Sequence, residues 1–170
     1  HLYREDNIYD IVCVLDYNTN PIIKNRGSAI FLHIANDDYS RTAGCVALSK
    51  LDLIALLESR LDTVIYRAKF AQTVFSARQM INHGHFTINK KKVNIASYVV
   101  KDTDLIEIRE KSKKLTVIDG SLQSKERDVP EYIQLDDKNK SVKLIRIPKF
   151  AEVPYPVVME PSLVIEYYSR

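Results

Sequence analysis

Apolar positions in residues 58–94 change period, and the change divides the stretch into helix, helix and hairpin. From roughly Leu56 to Tyr66, residues Leu57, Leu61, Val64 and Ile65 recur three and four apart, predicting a helix with one core-facing stripe. A second helix is predicted to start at Thr73, a good N-cap type, and to run through Phe75, Ala77, Met80 and Ile81. It stops at Gly84, which can take the left-handed conformation past a helix end. The other face of this helix carries Ser76, Arg78, Gln79 and His83. After Gly84 the period becomes two: His85, Thr87 and Asn89 alternate with Phe86 and Ile88. A Lys90-Lys91-Lys92 turn and Val93 complete a short hairpin with a basic tip.

The same reading extends in both directions. Downstream, DTDLIEIRE alternates Leu105, Glu107 and Arg109 with Ile106 and Ile108, a strand expected to close a small sheet. A short helix is expected within Thr116 to Arg127, and strands at Tyr132 to Leu135 and Lys143 to Ile147 flank the turn DDKNK. Pro148, Pro154, Pro156 and Pro161 impose extended, turn-rich chain, and LVIEYY suits a final strand. Upstream, IYDIVCVL and SAIFLHI read as buried strands with turn residues DYNTNP after the first. Ser49 is placed to cap the next helix with Asp52 near its positive end.

Charge divides the chain unevenly. Residues 1–56 hold five Lys/Arg against seven Asp/Glu, whereas residues 57–170 hold twenty against fifteen, within a formal total of +3. From Arg60 to Lys114 twelve cations face five anions. A packed face backed by one of Arg, Gln, His and Lys suits a phosphate backbone, because cations displace condensed counterions and polar side chains fix register. Two cysteines, Cys13 and Cys45, make neither a disulfide framework nor a CxxC metal motif, so no cofactor or metal is expected. No apolar run approaches the roughly 18 residues of a membrane span, and no signal-peptide pattern precedes the first strand.

The segments SRLDTVIYR, SARQMINHGHFTIN and KKVNIASYVVKDTDLIEI occur in an order that resembles the RNA-binding module of the bacterial ribosomal protein S-four family. The likeness continues through REKSKK to VPYP and LVIEYYSR, covering about residue 56 to Arg170. It implies a non-enzymatic small-subunit protein, cytoplasmic on the ribosome, with small-subunit rRNA and neighbouring ribosomal proteins as partners. By the same resemblance Arg60, Arg67, Ser76, Arg78, Gln79, His83, His85, Lys91 and Lys92 fall at RNA-facing positions. One departure concerns the hairpin, where the family usually has Asn-Gly and this chain has Asn89-Lys90. A type I′ turn needs positive φ at both central positions, which Lys tolerates less well than Gly, so a looser or different turn is expected.

In the first 56 residues, a strand His and a Cys after Gly could meet, and a nucleophilic Cys needs a nearby base and backbone donors for an oxyanion. A lone buried Cys, however, is more often a small hydrophobe. HLYREDNIYDIVCVLDYN, GSAIFLHI and TAGCVALSKLDLIALL resemble the carboxyl-terminal part of YkuD-like L,D-transpeptidases. That resemblance implies Cys45 as nucleophile, His33 as general base and Gly44 with Cys45 at the oxyanion position, acting on peptidoglycan stem peptides. The strands that ordinarily precede this segment in that family are not matched, and misplacement of about 1 Å can cost roughly a hundredfold in rate.

The combined expectation is an α+β chain. Residues 1–56 form a truncated β-rich transpeptidase-like segment, joined through one shared helix, LSKLDLIALLESRLDTVIYR, to residues 57–170. Those carry the helix-helix-hairpin module, at about residues 58–114, and its small β-sheet.

Overall fold

A computed structural model describes residues 8, 11–15, 17–18, 21–26, 30–42 and 44–155. The chain divides into two compact units, one comprising His1–Leu53 with Tyr155–Arg170 and the other Ile54–Pro154. The architecture is mixed α+β. Pro156, Pro161 and the LVIEYY strand lie outside the described residues, as do Tyr9, Asp10, Ser28 and Ala29 of the two predicted amino-terminal strands.

In the first unit, β1 (Val12–Leu15) pairs antiparallel with β2 (Ile30–Ile34), and β2 pairs parallel with β3 (Val46–Leu48). Helix α1 (Lys50–Glu58) follows, and its N-terminus is capped as the sequence predicts. The Ser49 hydroxyl accepts from Asp52 N–H at 3.0 Å and donates to the Asp52 carboxylate at 2.6 Å. The first bond satisfies a backbone N–H that a helix start leaves unpaired, and the second fixes the Ser49 hydroxyl in place.

The second unit is built on α2 (Leu61–Arg67), α3 (Val74–Asn82) and a five-stranded sheet. Its strands are β4 (Phe86–Ile88), β5 (Lys91–Lys92), β6 (Leu105–Ile108), β7 (Ile133–Asp136) and β8 (Ser141–Leu144), in the order β5-β4-β6-β8-β7. Helix α4 (Thr116–Gln123) precedes the last two strands. Alternation sends Phe86, Ile88, Ile106, Ile108, Val142 and Leu144 to one face, where they bury with Leu61, Val64 and Ile65 of α2 and Ala77, Met80 and Ile81 of α3. Sealing one apolar sheet face with two amphipathic helices is the simplest two-layer solution.

Three expectations about these elements need correction. The predicted continuous helix from Leu56 to Tyr66, and with it the single helix shared by two segments, is interrupted at Ser59–Arg60. There Arg60 is extended, with φ −67° and ψ 139°. The cause is a tertiary partner: Val100 N–H donates to Ser59 O at 2.7 Å, and the Leu61 and Asp62 amides donate to Tyr98 O and Ala96 O at 2.9 and 3.1 Å. Strand β6, expected to close the sheet, sits at its centre because β8 adds to its free edge through Ile106 opposite Val142. Strand β8 begins at Ser141 rather than Lys143, because the Asp136 carboxylate accepts from the Lys138 and Asn139 amides and tightens the preceding turn.

Among the described residues, no helix is long and apolar enough to cross a membrane.

Candidate nucleic-acid interface

Helix α3 starts where Thr73 accepts a hydrogen bond from Ser76 N–H at 3.1 Å. It ends in a Schellman arrangement: Gly84 N–H donates to Ile81 O at 2.7 Å and His85 N–H to Met80 O at 3.1 Å. Gly84 has φ +70°, and a Cβ there would collide with the stem of Lys92. The glycine therefore ends the helix, and the outer part of the Lys92 side chain lies over it. Arg109 donates to Gly84 O at 3.1 Å, placing a cation at the negative pole of α3.

The hairpin turn keeps type I′ signs with no glycine. Asn89 has φ 49° and Lys90 φ 67°, so the expectation of a different turn type is not met. Asn89 explains the tolerance: its amide group donates to Asp104 at 2.9 Å and accepts from Leu105 N–H at 3.0 Å, while its backbone N–H donates to Leu105 O at 2.9 Å. These bonds pin the turn to the 101–105 loop and offset a left-handed strain of about 1–2 kcal/mol at Lys90.

The cations predicted to face RNA fall into two groups. Arg60 forks onto Asp62 with both contacts at 3.0 Å, and Arg78 Nε reaches the same carboxylate at 2.7 Å. Their side chains remain 28% and 46% exposed, whereas Asp62 is at 0%. Burial would raise the Asp62 carboxyl, but the hydrogen bonds and charges of Arg60 and Arg78 outweigh it and hold the group below the usual carboxylate range. Gln79, His83, Lys91 and Lys92 are exposed, and Ser76 is half-buried in the first turn of α3.

Arg67 forms the second group. Its side chain is 10% exposed and its guanidinium grips Glu58 through two contacts at 3.1 Å and Pro154 O at 3.1 Å. It braces the fold, because its helix turn points it at a buried carboxylate.

His85 bonds Ser112 Oγ through Nδ1 at 2.9 Å and lies 5.9 Å from the His83 ring. Burial, then the proximity of His83 and Arg109, holds its imidazolium below the usual range. Thr87, Lys90, Glu107, Ile108, Arg109, Glu110 and Lys111 line a recess of about 370 Å³.

Phe75 was predicted on the core side of α3 and is instead 79% exposed, with the Arg78 guanidinium 5.9 Å from its ring. At 3.6 residues per turn, Phe75 lies about 60° from Arg78 but about 160° from Ala77. A helical wheel finds this placement, whereas apolar character alone hides it.

The transpeptidase-like residues fall in the first unit. His33, in β2, is buried with Nδ1 at 2.7 Å from Ile34 O, and pairs in register with Ala47 of β3. Cys45 immediately precedes β3 and is half-buried, after Gly44 with φ +111°. Cys13, half-buried in β1, pairs with Leu32.

The family described as S4 domain matches residues 59–106, the segment that spans α2, α3, the hairpin and β6 up to Ile106. The chain is 70% identical over 119 residues to small ribosomal subunit protein uS4 of Pelagibacter ubique, covering 70% of this chain and 58% of the relative. Against uS4 of Gluconacetobacter diazotrophicus identity is 58% over 119 residues, with the same coverage of 70% and 58%. The chain therefore spans a little over half the length of these two relatives. With uS4 of Bartonella quintana it is 48% identical over 159 residues, covering 91% of this chain and 78% of the relative. On that identity and coverage, together with the domain match over the helix-helix-hairpin unit, the chain belongs to the small ribosomal subunit protein uS4 family.

Proposed function

We propose that this chain is a non-enzymatic structural constituent of the small ribosomal subunit, binding small-subunit rRNA and neighbouring ribosomal proteins in the cytoplasm. In this reading residues 57–170 supply the ribosomal part and about 58–114 the RNA-contacting module. The observation that carries it is a set of exposed cations and polar groups borne on rigid elements: Arg60 and Arg78 on one buried carboxylate, Gln79 and His83 on α3, and Lys91 and Lys92 on the hairpin. Folded RNA is recognised largely through phosphates, 2′-hydroxyls and shape, which such a surface can match. Arg67 contributes by bracing the module. The test is binding to a small-subunit rRNA fragment as a function of salt, with unrelated duplex RNA as competitor. Affinity that resists the competitor and falls log-linearly with salt supports the reading; equal weak binding to both RNAs refutes it.

A second reading concerns residues 1–56 as a transpeptidase-like segment with Cys45 as nucleophile and His33 as base. The parallel pairing of β2 with β3 favours it, because that pairing puts His33 and the residue before β3 on neighbouring strands. Against a separate origin stands the alignment over 91% of the chain with a uS4 relative, which necessarily reaches well into the residues before Leu57. Thiol labelling at neutral pH decides: Cys45 reacts faster than Cys13 and slows in His33→Ala if the site works. Equal, sluggish labelling of both removes it.

A further inference from the structure

We propose that Asp62 is a positioning residue for RNA, a buried carboxylate that aims the guanidiniums of Arg60 and Arg78 at backbone phosphates. This inference rests on the RNA-binding reading above. An anion beneath a nucleic-acid face ought to weaken binding by repulsion; the geometry here points the other way.

Asp62 accepts four hydrogen bonds. Oδ1 takes Arg60 Nε and Thr63 N–H, each at 3.0 Å, while Oδ2 takes an Arg60 Nη at 3.0 Å and Arg78 Nε at 2.7 Å. Four acceptor positions are all a carboxylate has. It is thus saturated by two partly exposed arginines and one backbone amide of α2, and has none left for solvent. Arg60 spends one edge of its guanidinium on Asp62. Arg78 spends only Nε, so its Nη1 and Nη2 pair, the edge that suits a phosphate oxygen pair, stays available at a side chain 46% exposed. The Phe75 ring, 5.9 Å from the Arg78 guanidinium, flanks it on the exposed side.

Arginine has many rotamers, and fixing them is a cost of association that a preset side chain avoids. Asp62 meets that cost during folding, when its own charge is neutralised by the same two arginines. The net local charge stays +1, and both forks are held ready.

Asp62→Asn separates positioning from simple charge. It is nearly isosteric, keeps an acceptor for Arg60, and raises the local charge from +1 to +2. Coulomb attraction alone predicts tighter RNA binding; loss of positioning predicts binding weaker by about tenfold, the scale of two side chains released to rotate. The measurement is the affinity of the full chain for a small-subunit rRNA fragment, at a temperature where circular dichroism shows each variant folded. Weaker binding, with no further loss when Asp62→Asn is added to Arg60→Ala/Arg78→Ala, supports the proposal. Binding equal to or tighter than the unsubstituted chain overturns it. If Asp62→Asn does not fold, Arg78→Lys decides, since Lys keeps the charge without the planar fork: affinity as low as Arg78→Ala supports positioning, and unchanged affinity overturns it. Lys91→Ala/Lys92→Ala keeps the two readings distinct. If that variant binds more weakly while Asp62→Asn does not, the positioning role fails alone; if the unsubstituted chain does not bind rRNA, the RNA reading fails and takes this one with it.

Discussion

Glu58 and Asp62 lie one helical turn apart in sequence and are both buried carboxylates gripping arginine, yet they keep their cations in opposite environments. Glu58 holds Arg67 by two contacts at 3.1 Å and takes the Tyr132 hydroxyl at 2.9 Å, with all three side chains inside. That cluster ties the end of α1 to α2 and to the start of β7. Asp62 instead holds arginines whose far edges reach solvent. Identical ion-pair chemistry thus makes a lock where the cation is enclosed and a display where it is not. The difference lies in exposure, which determines whether a substitution is felt in folding or in binding.

The comparison breaks first at Arg67. Arg67→Ala leaves Glu58 buried without its cation and should lower stability by about 3–5 kcal/mol in denaturant titration, with the rRNA affinity of the folded fraction unchanged. A variant that kept its stability but lost RNA binding would make the two clusters alike. Acid unfolding sharpens the contrast next. The Asp62 carboxyl is held below its ordinary 3.8 in the fold, so its contribution is fully present above that value and is lost as pH falls through the lower, folded one. Asp62→Asn should flatten the acid limb of a stability-against-pH curve in that range, and an unaltered limb would mean the carboxylate adds nothing to folding.

Smaller effects follow on the display side. Arg78→Ala should change stability by less than about 1 kcal/mol, since the pair is partly exposed. It should reduce the slope of log affinity against log salt by about 1; a fall in melting temperature with an unchanged slope would make Arg78 a second lock. The smallest effect is at the hairpin tip. Lys90→Gly relieves about 1–2 kcal/mol of left-handed strain and adds about 0.5–1 kcal/mol of chain entropy to the unfolded state. A net gain of about 0.5 kcal/mol is expected by thermal melt, and a loss would place an unsuspected contact at the Lys90 side chain.

Much of the module was legible in order and spacing. Thr73, Gly84 and the two-residue alternation from His85 to Asn89 mark boundaries by local chemistry, and local chemistry is what a sequence displays. The break at Ser59–Arg60 was not legible, because no Gly or Pro stands there and the groups that interrupt the helix come from Ala96 to Val100. Arg67 and Arg78 look equivalent along the chain; which one is enclosed depends on Glu58, Tyr132 and Pro154 meeting in space. The centrality of β6 was hidden for the same reason, since its second neighbour, β8, begins more than thirty residues later, at Ser141.

The pairing of the first α2 amides with Tyr98 O and Ala96 O also bears on the order in which the chain acquires structure. As a nascent chain emerges amino end first, Leu61 and Asp62 appear long before their acceptors, and the start of α2 has only water for a partner until the segment after the hairpin arrives. The start of α2 and the segment at residues 96–100 therefore complete one another late and together. Amide exchange at Leu61 should slow in step with the docking of residues 96–100, and not with the appearance of α2 itself.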